Sequence, residues 1–422
     1  MCNAWLPAEP RYNAYFSAVC LFTALEVRRL HTGPARPIGL VYSAFGGTSV
    51  SLWAPPEELA GCPGENAPLP APGSLYNAMI APLERFSLRA FLFFQGEQDA
   101  GSEVATPGWY ACRFERLIAF WRRKWGMGDV AFCFVQLGPV VGGGDSYGLV
   151  RAAQALALPR PGGPLDITGM AVAHDLGDAS SPFDSVHFRN KTEVGRRLAA
   201  AVLRAQFALQ NASLVGPAVR GFSSVSAAGL TIELDVADGA GAALQPAGQC
   251  SECCAAGDTV QLSADGGATW CNSSLAMGAD GASVVVTAAG GCGAAAPFTH
   301  AQHAFMNYPQ CAIKANGNGF PVPAFRMAVA AAPAPAAAAA APARSLAPES
   351  TTLSAGGSMV WRGRPYSWTG ATPPPPMGLN TWNAYHVNID ENIVLALADA
   401  FVALGLKAAG YEFINASALD ET

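Results

Sequence analysis

The first half of the chain alternates short apolar runs with stretches long enough to form helices. It opens with a predicted helix in which Ala18, Phe22 and Leu25 recur at helical spacing. Buried strands are predicted at Ile38 to Tyr42, Ala90 to Phe94, Val130 to Leu137 and Met170 to Ala173. Helices are predicted at Tyr110 to Lys124 and Val194 to Phe207. This alternation is typical of a parallel sheet with crossover helices.

After Gly216 the pattern changes to short β-rich runs separated by Gly, Asp and Asn. These runs are Leu230 to Val236, Thr259 to Leu262 and Ser283 to Thr287. They predict a small β-sandwich-like unit that ends near Arg326. An Ala/Pro tract from Ala328 to Ala347 then predicts an extended linker. Beyond it, a helix is predicted from Asp390 to Leu404 and a strand from Tyr411 to Asn415.

Composition narrows the classes of function. The 422 residues carry a net charge of -6 with scattered Lys and Arg, so no basic stripe is available to neutralise nucleic-acid phosphates. No run of about 18 bulky apolar residues occurs, so no membrane span is predicted. A neutral small molecule is therefore the expected partner, and the sequence gives no sign of a cofactor.

The cysteines and glycosylation sequons indicate the secretory pathway. Six of the 11 cysteines fall between Cys250 and Cys311. Disulfides are preferred over zinc, because the Cys250-x-x-Cys253 pair has no second ligand pair of metal-binding spacing, and no metal is predicted. Four sequons begin at Asn190, Asn211, Asn272 and Asn415. The residues after Met1 do not form a signal peptide, so we expect a secreted or lysosomal glycoprotein whose start is missing.

Polar residues follow three of the predicted strands, at the sheet edge where ligands collect in α/β folds. Gly46 and Gly47 follow the first strand, and Gln95 and Glu97 follow the second. The last strand leads into Asp184-Ser185-Val186-His187, in which a carboxylate could orient a histidine that acts as a general base. Each motif alone has a bland alternative: a tight turn, a solvated loop, or a surface Asp beside a loop His.

Taken together and in this order, the motifs resemble the sialate O-acetylesterase family of SGNH-type serine esterases. The stretches that carry the resemblance are Phe16 to Val19, Pro37 to Thr48, Gln95 to Glu97, Val135 to Leu137, Arg151 to Gln154, Asp175 to Asp178 and His187 to Leu198, with weaker matches at Asn307 to Cys311 and Phe320 to Arg326.

The resemblance implies hydrolysis of acetyl esters on sugar hydroxyls, with an O-acetylated carbohydrate as the substrate. It makes His187 the general base and Asp184 its partner. Gly47, in the Gly46-Gly47 turn, and Gln95 become oxyanion donors, and Glu97 a support for that loop. Asp175 is a rival partner for His187. Phe188 stands where the family usually has proline.

The family's nucleophile lies in a Gly-Gln-Ser-Asn motif after the first strand of the sheet, and this motif does not occur here. Ser43 and Ser49 lie near the oxyanion turn but lack the strand-turn-helix setting of a nucleophile. We therefore expect the nucleophile to lie outside this chain, which would be inactive as given.

The tail resembles the opening strand, helix and second strand of the α-galactosidase family of glycoside hydrolases, in the residues Met377 to Tyr385, Asp390 to Leu404 and Tyr411 to Asn415. Trp382 matches a sugar-stacking residue, whereas Ser417 and Ala418 replace the family's substrate-binding Asp pair. A (β/α)₈ barrel needs roughly 250 residues, so this tail is expected to be a fragment.

The predicted fold class is α/β. An SGNH-hydrolase-like parallel sheet with flanking helices, whose first strand is missing, precedes a small β-sandwich-like domain and an isolated βαβ fragment. The predicted domains are an incomplete esterase domain at 1–214, a β-rich domain at 215–327, a linker at 328–370 and the barrel fragment at 371–422. Two alternatives to the esterase stay open: a non-catalytic carbohydrate-binding remnant, and a truncated bifunctional deacetylase and α-galactosidase-like hydrolase. The acetylated sugar, the disulfide pairing and the oligomeric state are undetermined by the sequence.

Overall fold

The structure, a computed structural model, describes residues 16–329 and four strands beyond residue 357. Within 16–329 the undescribed residues are 32–36, 64–72, 85, 103–106, 127–129, 159–164, 166, 208, 210, 212–213, 238–240, 245–258, 290–296 and 310–312. The chain divides into two compact units, one from Asn13 to Ala334 and one formed by Met1–Tyr12 with Pro335–Thr422.

The first unit begins with an α/β layer. Its elements are α1 (Ala18–Leu30), α2 (Pro56–Leu59), β1 (Ala90–Phe93), α3 (Glu97–Ser102), α4 (Pro107–Trp125), β2 (Ala131–Gln136), α5 (Ser146–Ala155), β3 (Thr168–Val172) and α6 (Lys191–Phe207). The three strands pair in parallel in the order β1-β2-β3. The predicted parallel sheet with flanking helices is therefore confirmed.

Aromatic packing fixes this sheet against α4. Phe91, Phe93 and Phe132 from the strands meet Phe114 and Trp121 of the helix, with ring centroids 5.5 to 6.0 Å apart. Every residue of β2 is buried, as expected for a central parallel strand covered on both faces.

The predicted strand from Ile38 to Tyr42 is wrong. These residues have no regular secondary structure, and Ile38, Val41 and Tyr42 are exposed. A strand needs a hydrogen-bonded neighbour to satisfy its backbone. Among the described residues, β1 pairs only with β2. In this described part of the chain, no strand lies between β1 and the segment from Ile38 to Tyr42, so that segment has no hydrogen-bonded strand beside it.

A separate antiparallel sheet follows. Its strands are β4 (Ala218–Ser223), β5 (Gly229–Asp235), β6 (Ala242–Leu244), β7 (Val260–Ser263), β8 (Cys271–Met277), β9 (Ser283–Ala288), β10 (His300–His303), β11 (Ile313–Ala315) and β12 (Phe325–Ala328). Seven form one sheet in the order β12-β10-β7-β8-β9-β5-β4, and β11 pairs with β6. The predicted β domain is confirmed, although one large sheet and a two-stranded ribbon form it.

Arg151 on α5 connects the α/β layer to the β region. Its guanidinium donates to the carbonyls of Leu137 and Gly138 beyond β2. It also donates to the carbonyls of Ala304, Met306 and Asn307 beyond β10. This side chain is fully buried, and burial lowers the pKa of Arg151 to about 9. Five main-chain oxygens from two segments are thus satisfied by one cation.

Two buried histidines also meet where the two layers touch. The rings of His174, just after β3, and His303, on β10, lie 5.4 Å apart at their centroids. His174 donates from Nε2 to the Val322 carbonyl at 2.9 Å, and His303 donates from Nδ1 to the Pro323 carbonyl at 3.2 Å. Burial lowers the pKa of His174 to about 3 and that of His303 to about 4, from an ordinary value of 6.5. Both rings are therefore neutral in the folded protein.

We expect acid to destabilise the protein through this pair. The folded-state pKa values lie below the unfolded ones, so the stabilisation is complete above about pH 6.5 and is lost as pH falls toward 4. Each histidine can contribute a slope of up to about 1.4 kcal/mol per pH unit. Urea unfolding at pH 7.0, 6.0 and 5.0 measures how the free energy of unfolding changes with pH.

His303→Phe should reduce this pH slope, whereas His300→Phe on the same strand should leave it unchanged. Because Asp175 and Arg151 also act on the pKa of His174, the His303 variant is the cleaner probe. An unaltered slope in His303→Phe would show that the pair does not control the acid response.

A disulfide joins Cys62 to Cys112, near α2 and within α4, across 50 residues of sequence. The sequence predicts disulfides among the later cysteines and gives no indication of this one. Of those later six, Cys271 is disulfide-bonded, and the other five lie outside the described residues.

The second unit is described at four strands. β13 (Ser358–Trp361) pairs antiparallel with β14 (Arg364–Ser367), and β15 (Met377–Asn380) pairs parallel with β16 (Tyr411–Asn415). The predicted strand from Tyr411 to Asn415 is confirmed. The predicted helix from Asp390 to Leu404, most of the predicted linker, Trp382, Ser417 and Ala418 lie outside the described residues. Within the described part of the chain, no helix is long and apolar enough to cross a bilayer.

Candidate active site

His187 ends a single 3₁₀ turn, Ser185–His187, in the loop between β3 and α6. The imidazole is exposed, and its Nδ1 lies 2.6 Å from the Phe183 carbonyl oxygen. Because a carbonyl can only accept, Nδ1 carries the proton and Nε2 is left as the basic nitrogen of the neutral ring. A main-chain oxygen thus selects the tautomer that a general base requires.

The carboxylate of Asp184 accepts from the backbone and hydroxyl of Ser185, the next residue, at 2.5 and 3.1 Å. It caps the turn that carries His187, whereas the ring itself is hydrogen-bonded to Phe183. The role of Asp184 as the partner of the histidine stays a prediction. The rival carboxylate, Asp175, is buried and contacts Arg197 at 2.6 Å and Lys314 at 2.7 Å. Burial alone would raise the pKa of Asp175, but these cations hold it well below its ordinary value.

Glu97 lies at the start of α3, within electrostatic reach of His187 and Lys191. Burial raises the pKa of Glu97, and the charges of Lys191 and His187 oppose that rise. The Lys191 ammonium lies 3.6 Å from the centroid of the Phe188 ring and 5.3 Å from that of Phe94. Burial lowers the pKa of Lys191 to about 8. Glu97 is therefore close enough to both the imidazole and the ammonium to interact with them electrostatically.

The turn at Gly46 and Gly47 is exposed, and Gly47 has a φ of 70°, a left-handed conformation that favours glycine. A Cβ at either position would meet no atom within 4 Å, so the backbone there is open to a ligand. This is the setting that an oxyanion turn needs, although the donor role of Gly47 stays a prediction.

Asp99, on α3, is hydrogen-bonded to the residues that follow this turn. Its buried carboxylate accepts from the Ser49 hydroxyl at 2.6 Å and from the Val50 amide at 3.0 Å, and also from the side chain of Gln95. Gln95 additionally donates to the Thr48 carbonyl at 2.9 Å. The segment after the glycine turn is thereby tied to the helix that carries Glu97.

Both amide hydrogens of Gln95 are thus directed to Thr48 and Asp99, while its oxygen accepts from Tyr110 at 3.0 Å. The donor role predicted for Gln95 is not tested by this arrangement and stays a prediction. The hydroxyls of the two serines near the turn are also engaged: Ser43 donates to the Met79 carbonyl, and Ser49 to Asp99.

We expect Asp99→Asn to loosen the oxyanion turn. An amide presents one acceptor oxygen where the carboxylate presents two, so it cannot accept from Ser49, Val50 and Gln95 together. The expected cost is about 1–3 kcal/mol of stability, the penalty for buried donors left unsatisfied. Faster hydrogen exchange at the Val50 amide would localise the effect.

Asp235→Asn, at an exposed position, is the matched control and should change neither quantity. Unchanged protection at Val50 in Asp99→Asn would contradict the assignment.

Sequence reasoning missed three contributors to this site: Asp99, Lys191 and the Phe183 carbonyl. Lys191 lies inside the stretch from His187 to Leu198, and Asp99 lies two residues after the stretch from Gln95 to Glu97, so their proximity to the site could have been inferred. The Phe183 carbonyl carried no signal, because any residue type supplies the same oxygen. In the described portion, no cluster of three or more His, Cys, Asp or Glu residues is arranged to hold a metal ion.

Known carbohydrate esterases are similar to the part of the chain that contains this site. Residues 16–204 match the model of a family described as carbohydrate esterase, sialic acid-specific acetylesterase. Sialate O-acetylesterase of Homo sapiens is 32% identical over 228 residues, which are 49% of this chain and 42% of that protein. The rat protein of the same name is 31% identical over 252 residues, 48% of this chain and 45% of that protein. The chain thus spans less than half the length of these relatives.

A crystal structure of a carbohydrate acetylesterase from Xanthomonas citri is similar, with a TM-score of 0.61 and 28% identity, covering 76% of this chain and 68% of that one. Alpha-galactosidase A of Cellvibrio japonicus is 56% identical over 41 residues, 10% of each chain. Because the family match contains the His187 loop, the glycine turn and Glu97, the α/β domain at residues 16–204 belongs to the sialic acid-specific acetylesterase family of carbohydrate esterases, which are carboxylic ester hydrolases.

Proposed function

We propose that the protein is a carbohydrate O-acetylesterase that hydrolyses acetyl esters on sugar hydroxyls. The observation that carries this proposal is the tautomer of His187, which leaves Nε2 of an exposed imidazole as its basic nitrogen, within electrostatic reach of Glu97. In the proposed reaction, Nε2 removes the proton of a serine hydroxyl as the serine oxygen attacks the acetyl carbonyl. Gly47 donates to the oxyanion, and the imidazolium protonates the departing sugar oxygen. Water activated by His187 then releases acetate.

The nucleophile is proposed to come from a segment outside the 422 residues. The Gly-Gln-Ser-Asn motif does not occur in the sequence, and the hydroxyls of Ser43 and Ser49 serve structural hydrogen bonds. In the described residues β1 has one edge free of a partner, and the segment from Ile38 to Tyr42 is exposed. A strand beside β1 would end at the same sheet edge as Glu97 and His187, where a serine could meet them.

The test is the protein extended by the coding sequence in frame before Met1, hereafter the extended protein. We expect that sequence to encode a Gly-Gln-Ser-Asn motif and the extended protein to release acetate from an O-acetylated sugar. Alanine in place of the motif's serine should abolish release. An extension without the motif, or an extended protein that releases no acetate, would refute the proposal and favour the non-catalytic carbohydrate-binding alternative.

For the tail, we propose the opening of an α-galactosidase-type barrel. The 41-residue similarity to α-galactosidases and the parallel pairing of β15 with β16 support this origin. Transcript sequence continuing in frame past Thr422 into further βα repeats would support a bifunctional hydrolase, and a stop codon there would reduce the tail to a remnant.

We further propose that the protein passes through the secretory pathway. The Cys62–Cys112 disulfide and the four sequons support this location. Mass spectrometry of the protein from its native source would detect glycans at the sequons, and a fully reduced, unglycosylated protein would contradict the proposal.

A further inference from the structure

Phe183 is an exposed aromatic residue in the loop that carries the candidate base. Its side chain is 71% exposed, more than any other large hydrophobic side chain among the described residues. Single exposed hydrophobic residues are common on protein surfaces and need no explanation by themselves. The position of Phe183, four residues before His187 and hydrogen-bonded to it, distinguishes it from the others.

The backbone around Phe183 is held firmly. Its carbonyl accepts from His187, and its amide donates to the Ser181 hydroxyl at 3.4 Å. That hydroxyl in turn donates to the His187 carbonyl at 2.8 Å. Asp178 and Arg189 close the base of the loop with an ion pair of 2.6 Å. The exposed ring therefore stands on a loop whose backbone is held by hydrogen bonds and an ion pair. Binding of a ligand would cost little conformational entropy of this loop.

A second exposed apolar side chain lies on the neighbouring segment. Val141, in the loop after β2, is 54% exposed, and its amide donates to the Ser185 hydroxyl at 3.0 Å. Ser185 belongs to the same turn as His187. Two exposed apolar side chains thus stand on two segments that are hydrogen-bonded to the turn carrying His187. Apolar side chains around a few polar groups are the usual lining of a small-molecule site.

We propose that Phe183 is the stacking platform for the pyranose ring that bears the acetyl ester, with Val141 as the apolar edge of the same subsite. A pyranose has faces of C–H groups and a rim of hydroxyls, so an aromatic ring can cover a face while the ester points to His187. The inference rests on the proposed function, since it places the sugar beside the base of that reaction. It assigns the substrate class to a single sugar ring and not to an extended acyl chain.

The test compares two esters in the extended protein: a mono-O-acetylated methyl hexopyranoside and 4-nitrophenyl acetate, which lacks the sugar. In Phe183→Ala we expect the KM for the sugar ester to rise about 3–10-fold, the range of one aromatic contact, with kcat within about twofold. The loss on 4-nitrophenyl acetate should be smaller than the loss on the sugar ester, because alanine keeps the main-chain carbonyl that orients His187. Phe183→Trp should restore the KM.

Leu156→Ala is the matched control. Leu156 is 47% exposed, lies directly after the C-terminal end of α5, and belongs to neither the Phe183 loop nor the Val141 loop. Equal losses on both esters would overturn the inference by showing an effect through His187 alone, as would no change on either ester. Conversion of a dimer to a monomer by Phe183→Ala would also overturn it, because the ring would then belong to a contact between copies.

Binding to the chain as it stands separates this inference from the proposed function. Saturation-transfer NMR with the same hexopyranoside should show transfer to its ring C–H protons, and Phe183→Ala should reduce it. Transfer without acetate release by the extended protein would support the platform and refute the esterase. Absence of transfer in both proteins, with acetate release intact, would refute the platform alone.

Discussion

Replacing His187 with alanine is expected to lower acetate release by the extended protein by about 10²–10⁴-fold, the usual contribution of a general base. Nδ1 donates its proton in a hydrogen bond to the Phe183 carbonyl, so Nε2 is the atom that must accept the serine proton. The side chain is exposed, and its loss should change stability by no more than about 0.5 kcal/mol. The measurement is acetate release at saturating and at limiting sugar ester, with thermal unfolding alongside.

His300→Ala is the control for this prediction. His300 lies on β10 and contacts the Thr299 hydroxyl, outside the candidate site. Its replacement should leave acetate release unchanged. If His187→Ala kept more than about a tenth of the activity, another group would have to be the base, since removal of a general base costs at least a hundredfold.

Replacing Arg151 with methionine is expected to destabilise the first unit by about 3–5 kcal/mol. Five carbonyl oxygens lose their donor, and each buried acceptor left unsatisfied costs about 1–3 kcal/mol. Removing a buried cation returns part of this loss, as the lowered pKa of Arg151 indicates. Five carbonyl acceptors lose their donor, whereas the burial cost of only one charge is removed. The cost of the unsatisfied carbonyls is therefore larger than the gain from removing the buried charge. Urea unfolding at pH 7 measures the change.

Arg28→Met, at an exposed position on α1, should leave stability within about 0.5 kcal/mol. Arg151→Lys tests the mechanism, because an ammonium keeps the charge but cannot reach all five carbonyls. It should recover only part of the loss. Full recovery by lysine would show that charge, and not the geometry of the guanidinium, holds the two segments together.

The consequences of Arg151 extend to the candidate site. The guanidinium fixes the backbone at Gly138, where an added Cβ would collide with the ring of Phe188. Phe188 follows His187 directly and supports Lys191. The position of the histidine loop therefore depends on a contact between α5 and the β region, far from the chemistry.

The sequence predicted the elements whose signals are local. Helical periodicity located α1, α4 and α6 to within a few residues, and the apolar runs located β1 and β2. The same local reasoning failed at Ile38 to Tyr42, because an apolar run becomes a strand only when a neighbour supplies hydrogen bonds. It also missed the Cys62–Cys112 disulfide, whose two residues carry no spacing signal.

By itself the sequence determined the order of the motifs, and with it the resemblance to the family and the prediction of His187, Glu97 and the glycine turn as site residues. Only the tertiary structure decided how they are held: the carbonyl that selects the tautomer of His187, the carboxylate of Asp99 that anchors the turn, and the guanidinium of Arg151 that joins the layers. The physical reason for Asp99 and Arg151 is that their hydrogen bonds join polar groups distant in sequence, separated by 50 residues for Asp99 and Ser49 and by 156 for Arg151 and Asn307. The contact of His187 with Phe183 spans only four residues, but its acceptor is a main-chain oxygen that every residue type carries. Periodicity records which face of an element is buried, but it holds no information about the partner that a buried polar atom will find.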